Sequence, residues 1–245
     1  MAMRLKNVDR ETPMFLLPVV AMFVLVACQA GCVSHKPDGA LARNTRLTKV
    51  AFSVVDVETT GLDPKTDRIV EIGVVKFRNG RKTGARSWLV NPGMPIPPSA
   101  VKIHGITTDM VRKSPDFAKV LPLFKAYIGD TVILAHNARY DISFFNAEIR
   151  RAGLEGPRNP VVDTLPVFRQ WFPKASRHTM AFMVEYLQLE TGIAHRGMSD
   201  ALSLFEVFKA GVESRSSKLT LEDLINTAGG ELSFAAQDVA EGERP

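Results

Sequence analysis

Hydrophobic and polar positions change rhythm several times along this chain. Val50 to Val57 is almost wholly apolar and rich in valine, which predicts a buried strand. Arg68 to Phe77 predicts a second strand, and Asn79-Gly80 is the dipeptide of a tight hairpin turn leading to a third at Ala85 to Val90. The stretch from Asn91 to Pro98 carries four prolines and a glycine and predicts no regular structure. A helical turn near Ser99–Ile103 follows, then helices at Thr108–Lys113 and Asp116–Tyr127. Thr131 to Ala135 predicts a fourth strand. His136-Asn137-Ala138 then opens a helix to about Ala152, with Ile142, Phe145 and Ile149 on one face. Val161-Val162 is a short fifth strand, followed by helices at Thr164–Trp171, Thr179–Gln188 and Ser199–Val212. Three strands in a meander, then alternating strands and helices, predict an α/β fold with a mixed sheet flanked by helices.

The two ends differ from this middle. Arg4, Lys6 and Arg10 precede an uncharged run from Met14 to Ala27, the pattern of a secretory signal. That run is short for a spanning helix, which needs about 20 apolar residues. It ends in Leu25-Val26-Ala27-Cys28, which resembles the lipobox of bacterial lipoproteins and would make Cys28 a lipidation site. The expectation is a membrane-associated lipoprotein. The alternatives are an uncleaved anchor, or a cytoplasmic enzyme behind a mis-set start. The expected divisions are a signal or anchor at 1–27, a polar and basic tether at 28–48, a domain at 49–213 and a partly disordered tail at 214–245 with one helix at Leu221–Asn226.

Composition narrows the chemistry. The 245 residues are 45% hydrophobic and 23% charged, which excludes disorder as the main state. Both cysteines, Cys28 and Cys32, precede the core, so the core has neither a disulfide nor a thiolate metal site. The net charge of +5 suits a polyanionic partner without demanding one. Arg139, Arg150, Arg151, Lys174, Arg177 and Arg196 are candidates to follow a phosphate backbone.

The acids carry the sharper signal. Asp56 and Glu58 alternate on one strand and therefore share a face with Phe52 and Val54. Two carboxylates at the end of an apolar strand repel each other and lose hydration, and a divalent cation relieves both costs. Asp141 and Asp200 each fall in the first turn of a helix. In isolation, an acid there only offsets the macrodipole.

Taken together, Asp56-Val57-Glu58-Thr59-Thr60-Gly61-Leu62, His136-Asn137-Ala138-Arg139-Tyr140-Asp141, and His195 with Asp200 five residues on resemble the three motifs of the DEDDh exonucleases. This DnaQ-like group includes the epsilon proofreading subunit of DNA polymerase III and has a ribonuclease-H-like fold. Asn91-Pro92-Gly93, Ile96-Pro97 and His104-Gly105-Ile106-Thr107 also resemble that family. The resemblance spans about Val50 to Val212. Tyr140 stands where phenylalanine is commoner. Gly197 stands where alanine is commoner, and is expected to loosen the loop carrying His195.

The resemblance implies a metal-dependent 3′–5′ exonuclease acting on single-stranded or frayed DNA and releasing nucleoside 5′-monophosphates. It implies two Mg²⁺ or Mn²⁺ ions roughly 3.5–4 Å apart, a set of hard oxygen ligands, and no competing thiolate. Asp56, Glu58, Asp141 and Asp200 would hold them, and His195 would take the proton of the attacking water. Thr59, Thr60, Leu62 and His104 would meet the terminal nucleotide. An RNA- or oligonucleotide-trimming enzyme uses the same motifs. A membrane-tethered nucleic-acid-binding module lacking catalysis is the alternative of another class. A polymerase partner fits poorly with an exported protein.

Overall fold

The computed structural model describes residues 42–190 and 197–234. Five strands form one mixed sheet in the order β3-β2-β1-β4-β5. β1 is Ala51–Thr59, β2 is Ile69–Arg78, β3 is Arg81–Leu89, β4 is Val132–Ala135 and β5 is Val161–Asp163. The first three are antiparallel neighbours, whereas β4 pairs parallel to β1 and β5 parallel to β4. This is the expected meander plus parallel strands. Strand β3 starts earlier than its apolar residues indicated. As an edge strand exposed over most of its length it has no hydrophobic alternation to announce it.

Helices cover both faces. They are α1 (Pro98–His104), α2 (Thr108–Val111), α3 (Phe117–Ile128), α4 (Arg139–Ala152), α5 (Thr164–Trp171), α6 (Met180–Tyr186), α7 (Gly197–Glu213) and α8 (Leu221–Thr227). Alternation along β1 sorts the core into two layers. Phe52 and Val54 join Val75, Phe77 and the inner sides of α5, α7 and α8. Val55 and Val57 join Ile72, Val74, Trp88 and the inner sides of α3 and α4.

The packed unit is wider than residues 49–213. Leu221, Leu224 and Ile225 of α8 are buried in the first layer, and Phe234 in the second. Leu232 exchanges backbone hydrogen bonds with Val161, and Leu47 donates to the Leu219 carbonyl. Apolar spacing at 221, 224 and 225 is a helix face, which needs a surface to cover it. The leader, Cys28 and the last eleven positions lie outside the described residues. No helix among the described residues is long and apolar enough to cross a membrane.

Candidate active site

The acids sit where β1 runs out of core. Asp56 and Glu58 continue the face that begins with Phe52 and Val54, so the strand that packs under α7 at one end presents carboxylates under it at the other. Helix α7 is seated by aromatic contacts, Phe205 on Phe77 with centroids 4.8 Å apart and Phe208 on Phe52 at 5.5 Å. Its first turn lies against the sheet because two glycines meet there. A Cβ on Gly73 would stand 2.0 Å from the backbone carbon of Gly197. That approach brings Asp200 to the strand acids, and carboxylate oxygens of Asp56, Glu58 and Asp200 lie within 4.8 Å of one another.

Asp141 is not one of the three carboxylates that lie within 4.8 Å of one another, but its charge acts on Asp56. It is buried in the first turn of α4, and its carboxylate receives the backbone N–H groups of Val57 and of Asp141 itself. Burial, relieved in part by those donors, raises it to about 7. Asp56 is raised well above the ordinary carboxylate range, first by burial, then by the charge of Asp141, and then by Glu58, Asp200 and Glu71. Carboxylates that repel one another in a desolvated cleft favour a bound proton or a bound cation. The donors are hard oxygens and no thiol stands among them, a set suited to Mg²⁺ or Mn²⁺.

Position 141 depends on the start of α4. Asn137 adopts a left-handed conformation (φ 60°), and its N–H donates to the Asp163 carboxylate at 3.0 Å. Asp163 also accepts from Leu165 N–H and so caps α5. His136 meets the His178 carbonyl at 2.7 Å and Thr164 Oγ1 at 3.0 Å, a bracing role. Burial holds its pKa below the ordinary histidine value.

The turn after β1 carries the expected substrate contacts. Thr59 Oγ1 bonds the Gly61 carbonyl at 2.6 Å and the Tyr140 hydroxyl at 2.7 Å. Thr60 Oγ1 donates to Asp67 at 3.0 Å, and Leu62 projects with 83% of its surface exposed. His104 is buried in the last turn of α1. Its Nδ1 accepts from Ile106 N–H, which leaves Nε2 to donate to the Thr59 carbonyl at 3.2 Å. His195 lies outside the described residues.

The structure also brings in groups that sequence inspection passed over. Glu71 sits directly across the ladder from Glu58 and is 1% exposed. Its carboxylate accepts from Ser87 Oγ at 2.6 Å and from Gly197 N–H at 3.1 Å. An acid inside an otherwise apolar strand needs a buried partner, and that was the signal available in the sequence. Gly197 itself is buried and tied to Glu71. A Cβ there would come within 3.1 Å of Gly73 N, so glycine serves close packing at this position and not looseness.

A mixed five-stranded sheet of this order, with acids converging at the end of its first strand, defines the ribonuclease-H-like exonuclease class. The RNase_T family model, described as an exonuclease, matches residues 53–208, and the chain belongs to this family, of DEDDh type. The DNA polymerase III subunit epsilon of Treponema pallidum is 38% identical over 163 residues, covering 65% of this chain and 75% of that protein. A PolC-type DNA polymerase III of Bacillus cereus is 35% identical over 154 residues, covering 63% of this chain but 11% of that protein. The chain therefore corresponds to a small part of the PolC-type relatives. Among solved structures, Exonuclease X in complex with 5′-overhanging duplex DNA superposes with a TM-score of 0.59 and 26% identity, covering 73% of this chain and 99% of that one. The nuclease domain of 3′hExo shares the fold, with a TM-score of 0.61 and 19% identity, covering 68% of this chain and 93% of that one.

Proposed function

We propose that the chain is a 3′–5′ exonuclease that removes nucleotides from single-stranded or frayed DNA ends. The observation that carries this is the convergence of Asp56, Glu58 and Asp200 within 4.8 Å, with Asp141 charged against Asp56. Asp56, Glu58, Asp141 and Asp200 would hold and orient divalent cations, which would supply activation of water and charge neutralisation at the cleaved phosphodiester. His195, five residues before Asp200, accepts the proton of the attacking water. Thr59 and Thr60 present backbone to the terminal nucleotide, and the exposed Leu62 wedges against its base. His104 keeps Thr59 in place from beneath. The DNA preference is supported by the identity to polymerase subunits and by the likeness to Exonuclease X.

A DNA oligonucleotide labelled at its 5′ end, incubated with Mg²⁺ or Mn²⁺, would yield a ladder shortened from the 3′ end and nucleoside 5′-monophosphates. Asp200→Asn would lose activity by about a thousandfold or more while keeping its fold. Near wild-type digestion by that variant would refute the assignment, and faster digestion of RNA than DNA would replace the substrate. We also propose lipidation at Cys28. Incorporation of labelled fatty acid that is lost in Cys28→Ser is its test.

A further inference from the structure

Positive charge is not spread evenly over this chain. Residues 72–108 hold Lys76, Arg78, Arg81, Lys82, Arg86 and Lys102 and no acid, a local +6 in a chain whose total is +5. Arg78, Arg81, Lys82 and Arg86 cluster on the β2–β3 hairpin, and all four are exposed. None forms an ion pair among the described residues. Arg86 is stacked over the Trp88 ring at 4.9 Å, which orders its guanidinium. By contrast Arg151, a candidate phosphate contact from its sequence position, is occupied by Glu148 at 3.4 Å and by the Lys65 carbonyl at 2.8 Å.

The hairpin edge leads toward the acidic cleft, with Lys82, opposite Phe77, on the acid-bearing face and Arg86, opposite Val74, on the other. Strand β3 ends beside it, where the Ser87 hydroxyl meets Glu71, the residue opposite Glu58. From Ser87 back to Arg81 the strand runs about 20 Å, long enough to span several phosphates of a nucleic-acid strand. A polyanion entering a cleft of converging carboxylates is repelled along its length, and the cations bound at its tip neutralise only the end. Retaining the rest requires fixed positive charge nearby. We propose that the exposed edge of the β2–β3 hairpin, through Arg78, Arg81, Lys82 and Arg86, binds the phosphate backbone of the nucleic acid several nucleotides 5′ of the terminus being cut.

This rests on the exonuclease assignment for its direction, not for the surface itself. A second copy of the chain does not fit the same edge. Antiparallel self-pairing of β3 would bring Arg81, Lys82 and Arg86 of one copy beside the same three cations of the other, which disfavours association.

The test compares the full chain with Arg81→Gln/Lys82→Gln, two exposed changes without internal partners. With Mg²⁺, the variant's KM for a long oligothymidylate rises about tenfold at low salt, with kcat unchanged. Hydrolysis of a thymidine dinucleotide, too short to reach the hairpin, stays at the wild-type rate. In EDTA, where no cleavage occurs, fluorescence anisotropy shows the slope of log affinity against log salt reduced by about 1.4. An unchanged KM and salt slope overturn the proposal while leaving the exonuclease intact. Equal loss on the dinucleotide makes the effect structural and also overturns it. A wild type that binds the oligonucleotide without digesting it, with binding weakened in the variant, upholds the surface and fails the exonuclease. Lost binding to vesicles of equimolar phosphatidylserine and phosphatidylcholine, with oligonucleotide binding unchanged, assigns the edge to a membrane and overturns the proposal.

Discussion

Gly73→Ala tests the physical origin of the site. Gly73 lies in the middle of β2, across the ladder from Asp56, and nothing about its backbone demands glycine. What demands it is the first turn of α7. The added methyl would stand 2.0 Å from the Gly197 carbon, 2.1 Å from its oxygen and 2.4 Å from Met198 N, where ordinary contact begins at 3.4 Å. These are backbone atoms and cannot rotate away, so the helix start must retreat by roughly 1.4 Å. Overpacking of this kind costs about 1–3 kcal/mol, or a fall in Tm of roughly 3–10 °C for a domain of this size. The larger effect is on Asp200, three residues further along the helix. A misplacement near 1 Å costs on the order of 100-fold in rate. It also weakens cation binding, since the carboxylate oxygens would no longer share one 4.8 Å sphere.

The assay is 3′-end digestion at 25 °C across a Mn²⁺ titration, with the fold of both proteins checked by circular dichroism at that temperature. The half-saturating Mn²⁺ concentration rises and kcat falls about 100-fold. Leu224→Ala in α8 provides the control. It removes a buried side chain at about 2–5 kcal/mol yet leaves the α7 start alone, so its kcat and metal dependence stay at wild-type values. A folded Gly73→Ala with activity within about threefold of wild type and an unmoved Mn²⁺ titration would refute the idea that the glycine pair sets Asp200.

Other outcomes follow from the same geometry. Because Asp56 and Asp141 are raised above their ordinary range, the folded metal-free chain keeps protons that the unfolded chain has released. Its stability therefore falls as pH rises from about 4 to about 7, and saturating Mg²⁺ removes that slope; Tm against pH with EDTA or Mg²⁺ measures this. Asp141→Asn at about pH 8 raises the metal-free Tm by roughly 2–6 °C while activity is lost, as expected where function holds unbalanced charge. Tyr140→Phe removes the bonds to Thr59 Oγ1 and the Gly61 carbonyl, costs about 1 kcal/mol in urea unfolding, and raises KM about threefold without changing kcat.

Much of this was legible beforehand because the signals were local. The strands of the inner sheet are apolar runs of the right length, and β1 carries its acids on one face by simple alternation. Helix α4 begins where a charged first turn and an apolar stripe coincide. Signals that depend on distant partners stayed hidden. Strand β3 has little apolar alternation over Arg81–Ala85, because an edge strand is defined by its neighbour β2 and not by its own burial. Residues 214–245 read from sequence as a partly disordered tail with one helix at Leu221–Asn226, and the packing of that helix is not legible because its apolar positions matter only once α5 and α7 are placed beside them. Gly73 is unremarkable in an apolar strand until α7 lands on it, and Glu71 signals a buried partner without saying that the partner is Gly197.

The seating of α7 joins core and chemistry in one register. At its far end Phe205 and Phe208 lock onto Phe52 and Phe77; at its near end Gly197 is held by Glu71 and pressed against Gly73. Between those two fixtures the helix has no freedom to slide by one turn, about 5.4 Å, without losing both. Such a slide exceeds the 4.8 Å within which the three carboxylates now meet, so it would also dismantle the cation site. Phe208→Ala therefore separates two accounts of the core. If the aromatic end only adds burial, the variant loses about 3–5 kcal/mol and cation dependence is unchanged. If it sets register, the half-saturating Mn²⁺ concentration rises as well, although Phe208 is eight residues from Asp200 and touches no acid of the site. The two-ended seating requires the second result, and a titration identical to wild type would show that the Gly73–Gly197 contact alone is sufficient.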